Sequence, residues 1–200
     1  MKKEYYLALF LNGCIMMTAI MNAFSTVQWM KSTGLVLITN TPFRILEISI
    51  FSSFMLFLFM WGFSRTKYRL FPFASAIISI PTIFIELYFG YVLIYDIDKF
   101  FILNTQSWAE KYQSNELTAL QRRYNCCGYF SSTDFPNVNC LATAQTPCMH
   151  KLKNILKSPL SGCGVNSISD GIIRTLAVIA FYFSYSEEED INALDDLNSI

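Results

Sequence analysis

Six cysteines, and a few charges set inside apolar runs, are the residues of this chain with chemistry to offer. Cys126 and Cys127 are adjacent and followed by Gly128, and Cys140, Cys148 and Cys163 lie downstream. A thiol pairs as a disulfide, ligates a metal or attacks as a thiolate. Neighbouring Cα atoms are ~3.8 Å apart, closer than the ~4.4 Å at which relaxed bridges begin. Both members of the pair must therefore seek distant partners. A zinc site would want C-x2-C pairs and histidines, but the segment has one histidine and no CxxC. A thiol oxidoreductase would also want CxxC. The pattern reads as a disulfide framework in an oxidising compartment, with one of the five cysteines left over. Gly128 reads as a turn closed to other residues, and the lone His150 as a solvated surface group.

Asn12, Glu86 and Arg174 form the second set, each a polar residue in an apolar run. Ionisable groups in a membrane are expensive and usually face a bundle interior or a partner. Helical rise puts Glu86 ~14 Å and Arg174 ~5–9 Å below the outer surface. Arg174 can then either snorkel to the interface or reach down to pair with Glu86. Asn12 is expected to bond another helix or line a cavity between helices, and not to meet Glu86.

The elements that must position these groups are membrane spans. The chain is 53% hydrophobic and only 15% charged, with 15 basic and 15 acidic residues. No basic field is left over for nucleic acid. Roughly 20 apolar residues cross a bilayer, and four runs approach that length. The division is residues 1–24 for the N-terminus and span one, then a small loop at 25–44. Span two is 45–63, a short link 64–70, span three 71–95 and a large loop 96–167. Span four, 168–186, is short, and an acidic tail follows at 187–200. The first run is too long for a signal-peptide core and reads as a retained span. Lys2, Lys3, Arg65, Lys67 and Arg69 fall on one side, which makes it cytoplasmic with both termini there. In the large loop, Phe101, Leu103, Trp108, Tyr112, Leu117 and Leu120 predict helices between Ile97 and Asn125. Residues 150–157 predict a short helix ended by Ser158-Pro159 and Gly162.

The run from Leu120 to Gly128, Leu-Gln-Arg-Arg-Tyr-Asn-Cys-Cys-Gly, resembles the helix and CCG motif of the tetraspanins. Asp134-Phe135 resembles the Asp-Trp pair that often follows in that family, and Gly162-Cys163 its closing Gly-Cys. Asn12 and Glu86 are similar to the polar residues that tetraspanins keep in spans one and three. The chain departs from the family in lacking its Pro-x-Ser-Cys, in having five loop cysteines and in carrying Arg174 in span four. The resemblance implies an all-α protein: a four-transmembrane-helix bundle with a disulfide-stapled, mostly helical large extracellular loop. It also implies a Cys126–Cys163 bridge. Cys127 would pair with a middle cysteine, Cys148 in preference to Cys140, leaving Cys140 as the unpaired or alternative thiol.

The function so implied is a multi-pass scaffold in plasma or endosomal membranes, and not an enzyme. It would organise partner membrane proteins, and itself, laterally in the lipid bilayer through its spans and the segment 134–161. No nucleic acid, small-molecule substrate, metal or cofactor is expected. A sterol between the spans follows by family analogy alone. Two rival classes fit less well: a four-span junction or channel protein would carry its cysteines in the first loop, and a membrane thiol oxidoreductase would need CxxC.

Overall fold

The computed structural model describes residues 3–34, 39, 41–66, 70–111, 113–134 and 146–198, with side chains for all but 4 and 186–198. Every regular element among them is a helix. In chain order these are α1 (Lys3–Thr33), α2 (Thr41–Thr66), α3 (Leu70–Tyr95), α4 (Ile97–Leu103), α5 (Thr105–Lys111), α6 (Asn115–Tyr124) and α7 (Cys148–Asn198). Four of them, α1, α2, α3 and the part of α7 up to Tyr185, are long and apolar enough to cross a membrane. The 26 residues of α2 or α3 rise ~39 Å, more than the ~30 Å of hydrocarbon.

The expected first three spans lie inside α1, α2 and α3. The fourth does not keep its expected limits. Helix α7 is one element of 51 residues that runs through Pro159 and through Gly162 and Gly164. Neither the short helix 150–157 nor a break before residue 168 is seen. Helix is tolerated here because a proline removes one bond of the ladder and leaves the others. Gly164 also has a packing role: a Cβ there would lie 3.0 Å from the Gly90 carbonyl oxygen and 2.8 Å from Ile94 Cγ1.

The chain forms two compact units. The first unit comprises Met1–Ala23, Ile45–Tyr88 and Ser167–Ile200. It is built inside out relative to a water-soluble bundle. Asn12, Ser49, Ser52, Ser53, Ser75, Ser79, Thr82, Glu86 and Arg174 are buried, whereas Phe10, Met17, Phe51, Phe73, Phe84 and Phe183 are exposed. Small and hydroxylic residues let helices approach and bond one another, and large apolar side chains suit a lipid-facing surface. Its apolar core joins Tyr5, Ala8, Leu56, Met60, Phe63, Ala177 and Phe181.

The second unit comprises Phe24–Arg44 and Phe89–Asn166. Its core gathers Phe100, Phe101, Trp108, Leu117, Leu120, Tyr129, Leu152, Leu156 and Leu160 around Cys126 and Cys148. Of the residues expected to pattern this region, Phe101, Trp108, Leu117 and Leu120 are buried. Leu103 is instead exposed at the end of α4, and Tyr112 lies outside the described residues. The long helical stretch is cut into α4, α5 and α6. The Asp96 backbone leaves helical geometry at ψ 54° before α4, and Ser114 caps α6 by accepting from the Leu117 N–H at 3.2 Å.

Candidate functional site

In the second unit, the residues from α6 to Asp134 explain most of the CCG motif. Helix α6 ends with Asn125 in the left-handed region, φ 47°. Asn125 N–H donates to the Arg122 carbonyl at 3.2 Å and Cys126 N–H to the Gln121 carbonyl at 3.0 Å, the two bonds of a Schellman closure. That closure turns the chain so that both cysteines leave the helix buried. Gly128 follows at φ 68°. A Cβ there would sit 1.9 Å from the Ser131 carbonyl oxygen, so the glycine is dictated by space as well as by backbone angle. Asp134 holds the same turn, its Oδ2 accepting from the Ser131 N–H at 2.8 Å. Phe135 lies outside the described residues.

The bridge that forms is Cys126–Cys148, with Cα atoms 4.8 Å apart. This overturns both expected pairings, Cys126 with Cys163 and Cys127 with Cys148. The reason is the continuity of α7. Cys148 opens that helix and Cys163 lies four turns along it, ~22 Å away at 1.5 Å per residue. A partner within reach of Cys148 cannot also reach Cys163. Cys163 is not disulfide-bonded, and Gly162 before it is exposed with open space around it. Cys127 is also in a disulfide, and its partner lies outside the described residues, as does Cys140.

Around the bridge the chain is held by directed bonds. Cys127 N–H donates to the Thr146 carbonyl and Met149 N–H to the Tyr129 carbonyl, each at 3.1 Å. Tyr129, fully buried, donates its hydroxyl to the Phe101 carbonyl at 2.6 Å and lies 4.8 Å from the Trp108 ring. Burial pushes the Tyr129 hydroxyl pKa well above the ordinary tyrosine value. The basic and aromatic pair before the cysteines closes the end of α1. Arg123 Nη1 donates to the Ser32 carbonyl at 2.7 Å and the Tyr124 hydroxyl to the Thr33 carbonyl at 2.9 Å, satisfying orphan carbonyls of the last turn. Sequence reading gave these two residues only a motif.

In the first unit the polar residues meet. Arg174 is fully buried and grips Glu86 in a two-point pair, Nε to Oε2 at 3.1 Å and Nη2 to Oε1 at 2.9 Å. Its Nη2 also donates to Ser49 Oγ at 2.9 Å, and Nη1 donates to Ser52 Oγ at 3.2 Å. Snorkelling to an interface is thereby replaced by pairing. A charge left in low dielectric with partners in reach gains more from a forked bond than from stretching towards water. Ser167 donates to the Glu86 backbone carbonyl at 2.8 Å. One turn before Arg174, Asp170 Oδ1 lies 3.1 Å from the Thr18 hydroxyl. Asn12 donates Nδ2 to the Ser53 carbonyl at 3.0 Å, a bond from α1 to α2 as expected.

Ser49, Ser52 and Thr18 went unremarked in the sequence, although serines spaced by one helical turn in a Phe- and Leu-rich run were a visible signal. No family model matches the chain, and neither a curated protein nor a solved structure is similar enough to match it.

Proposed function

We propose that the chain is a tetraspanin-like membrane scaffold, multi-pass in plasma or endosomal membranes with both termini cytoplasmic. It organises partner membrane proteins laterally, through its spans and through the cysteine-bearing unit. One observation carries the reading: four long apolar helices with an inside-out distribution of residues accompany a compact unit closed on the CCG cysteines. The buried Glu86–Arg174 pair supports it, since a pair of that kind fixes the register of helices that have no hydrophobic force to align them in lipid. The Cys126–Cys148 bridge departs from the pairing the resemblance implies, so the scaffold has its own way of closing the unit. The bridge also ties the turn after Gly128 to the start of α7 before any partner arrives, which lowers the entropy lost on binding there.

The test is capture of the full chain from cells in a mild detergent, with mass spectrometry of what co-purifies, for the wild type and for Cys126→Ser. A defined set of membrane proteins that drops out in the variant is expected. The same set recovered at the same level from both, or none from either, would overturn the reading.

A further inference from the structure

Helix α7 is the least apolar of the four helices able to cross a membrane. Between Lys157 and Glu187 its only charges are Asp170 and Arg174, and both are buried in the first unit. The forked bond sets Arg174 level with Glu86, which lies ~14 Å along α3 from its end at Tyr95. That is deeper than the ~5–9 Å expected from its place in the chain, and near the middle of a ~30 Å hydrocarbon layer. One Arg or Asp at such a depth lowers insertion of an isolated helix by about a hundredfold.

Groups from all three earlier spans offset that penalty. Arg174 bonds Ser49 and Ser52 of α2 and Glu86 of α3, and Asp170 bonds Thr18 of α1. Ser167 reaches the Glu86 backbone carbonyl. Gly171 lies so close to α3 that a Cβ would stand 3.1 Å from Leu87 Cδ2. The dependence runs one way. Helix α3 is the most apolar of the four and has Glu86 as its only charge, so its Ile, Leu and Phe take it across without α7.

We propose that the fourth span is inserted by docking, with Glu86 as its latch. Helix α7 crosses only where the first three spans already present Thr18, Ser49, Ser52 and Glu86. With the latch broken, α7 stays out of the hydrocarbon and the tail ends on the other side. The chain then has two arrangements, of four spans and of three. They differ in which face of the membrane receives the acidic segment 187–190. Asp170 cannot replace the latch: it sits one turn from Arg174 on the same helix and gives it no hold on another span.

The layout rests on the multi-pass reading; the choice of Glu86 as latch does not. The experiment is cell-free synthesis of the full chain with microsomes, with an Asn-Ser-Thr tag before Met1 in one version and after Ile200 in another. The chain has no Asn-x-Ser/Thr sequon of its own, so each glycan reports the side of its tag. Wild-type tags are expected on the same side. Glu86→Leu should raise the share of chains with tags on opposite sides by about tenfold, and Ser49→Ala with Ser52→Ala by about threefold. Adding Arg174→Leu to Glu86→Leu should restore the wild-type result, because α7 then carries no unpaired arginine. A merely structural role for Glu86 would leave the double variant no better than the single one. Glycans are counted on newly made chains, so a variant that later fails to fold still reports its topology.

Tags on the same side in Glu86→Leu, or on opposite sides in the double variant, overturn the proposal. The multi-pass layout survives both results, since the wild type still keeps its tags together. Wild-type tags on opposite sides overturn that layout, and the latch falls with it.

Discussion

The first unit holds its polar groups with reversible bonds between helices, whereas the second unit closes on a covalent bridge. Arg174 in the first unit has no water to fall back on, so its stability depends on Glu86, Ser49 and Ser52 all being present. Cys126 and Cys148 in the second unit depend on nothing but an oxidising surrounding. Chemistry that spares one unit should therefore damage the other. A reductant attacks the second and ignores the first; removal of a single charge does the opposite.

The largest effect is expected at the buried pair. Arg174→Met leaves Glu86 buried without its partner, and should cost about 3–5 kcal/mol of unfolding stability. Adding Glu86→Leu should recover most of that loss, since replacing both members of a buried pair with apolar groups is often neutral. The measurement is unfolding in bicelles, read by the fluorescence of Trp61, which lies in the first unit and is exposed, in a background where the other tryptophans are Phe. If the single and double variants lose the same stability, Arg174 is held by its serines and not by Glu86.

Next is Cys148→Ser, or reduction of the wild type. The bridge spans a sequence separation of 22, and closing such a loop is worth roughly 3 kcal/mol in the chain-entropy model. Limited proteolysis with and without reductant should show cleavage between α6 and α7 appearing only under reduction, with the Trp61 signal of the first unit unchanged. A reductant that shifts the Trp61 transition as well would show that the two units do not respond independently.

The two units were legible in the sequence to different degrees. The first unit was read in outline, because apolar length is a strong signal and a charge inside it stands out; the choice open to Arg174, the partners Ser49, Ser52 and Thr18, and the unbroken start of the fourth span were not read. The second unit gave up its helix-forming pattern, the glycine at 128 and the presence of a bridge, but not the partner. Pairing depends on where α7 begins and whether it stops. Ser158-Pro159 and Gly162 are ordinary stop signals, and here close packing at Gly164 outweighs them. Once the helix continues, Cys163 is carried out of reach. Local propensity could not show this, because the deciding contacts come from α3, some 70 residues earlier in the chain.

The smallest effect expected is at Tyr129, and it sharpens the comparison by adding pH. Tyr129→Phe removes one buried hydroxyl bond to the Phe101 carbonyl, a loss of about 1 kcal/mol at neutral pH. The wild-type hydroxyl is held protonated by burial, with its folded pKa above the ordinary tyrosine value. Unfolding releases it to a pKa of about 10, so the unfolded state then binds fewer protons than the native one. Stability is thus fully present below pH 10 or so and falls as pH rises beyond it. The phenylalanine variant lacks that alkaline loss, so the difference between the two proteins should shrink, then reverse, on titration upward. Unfolding of the second unit followed by Trp108, which packs on the Tyr129 ring, gives the readout. Parallel alkaline profiles for wild type and variant would place the titrating group elsewhere in the unit.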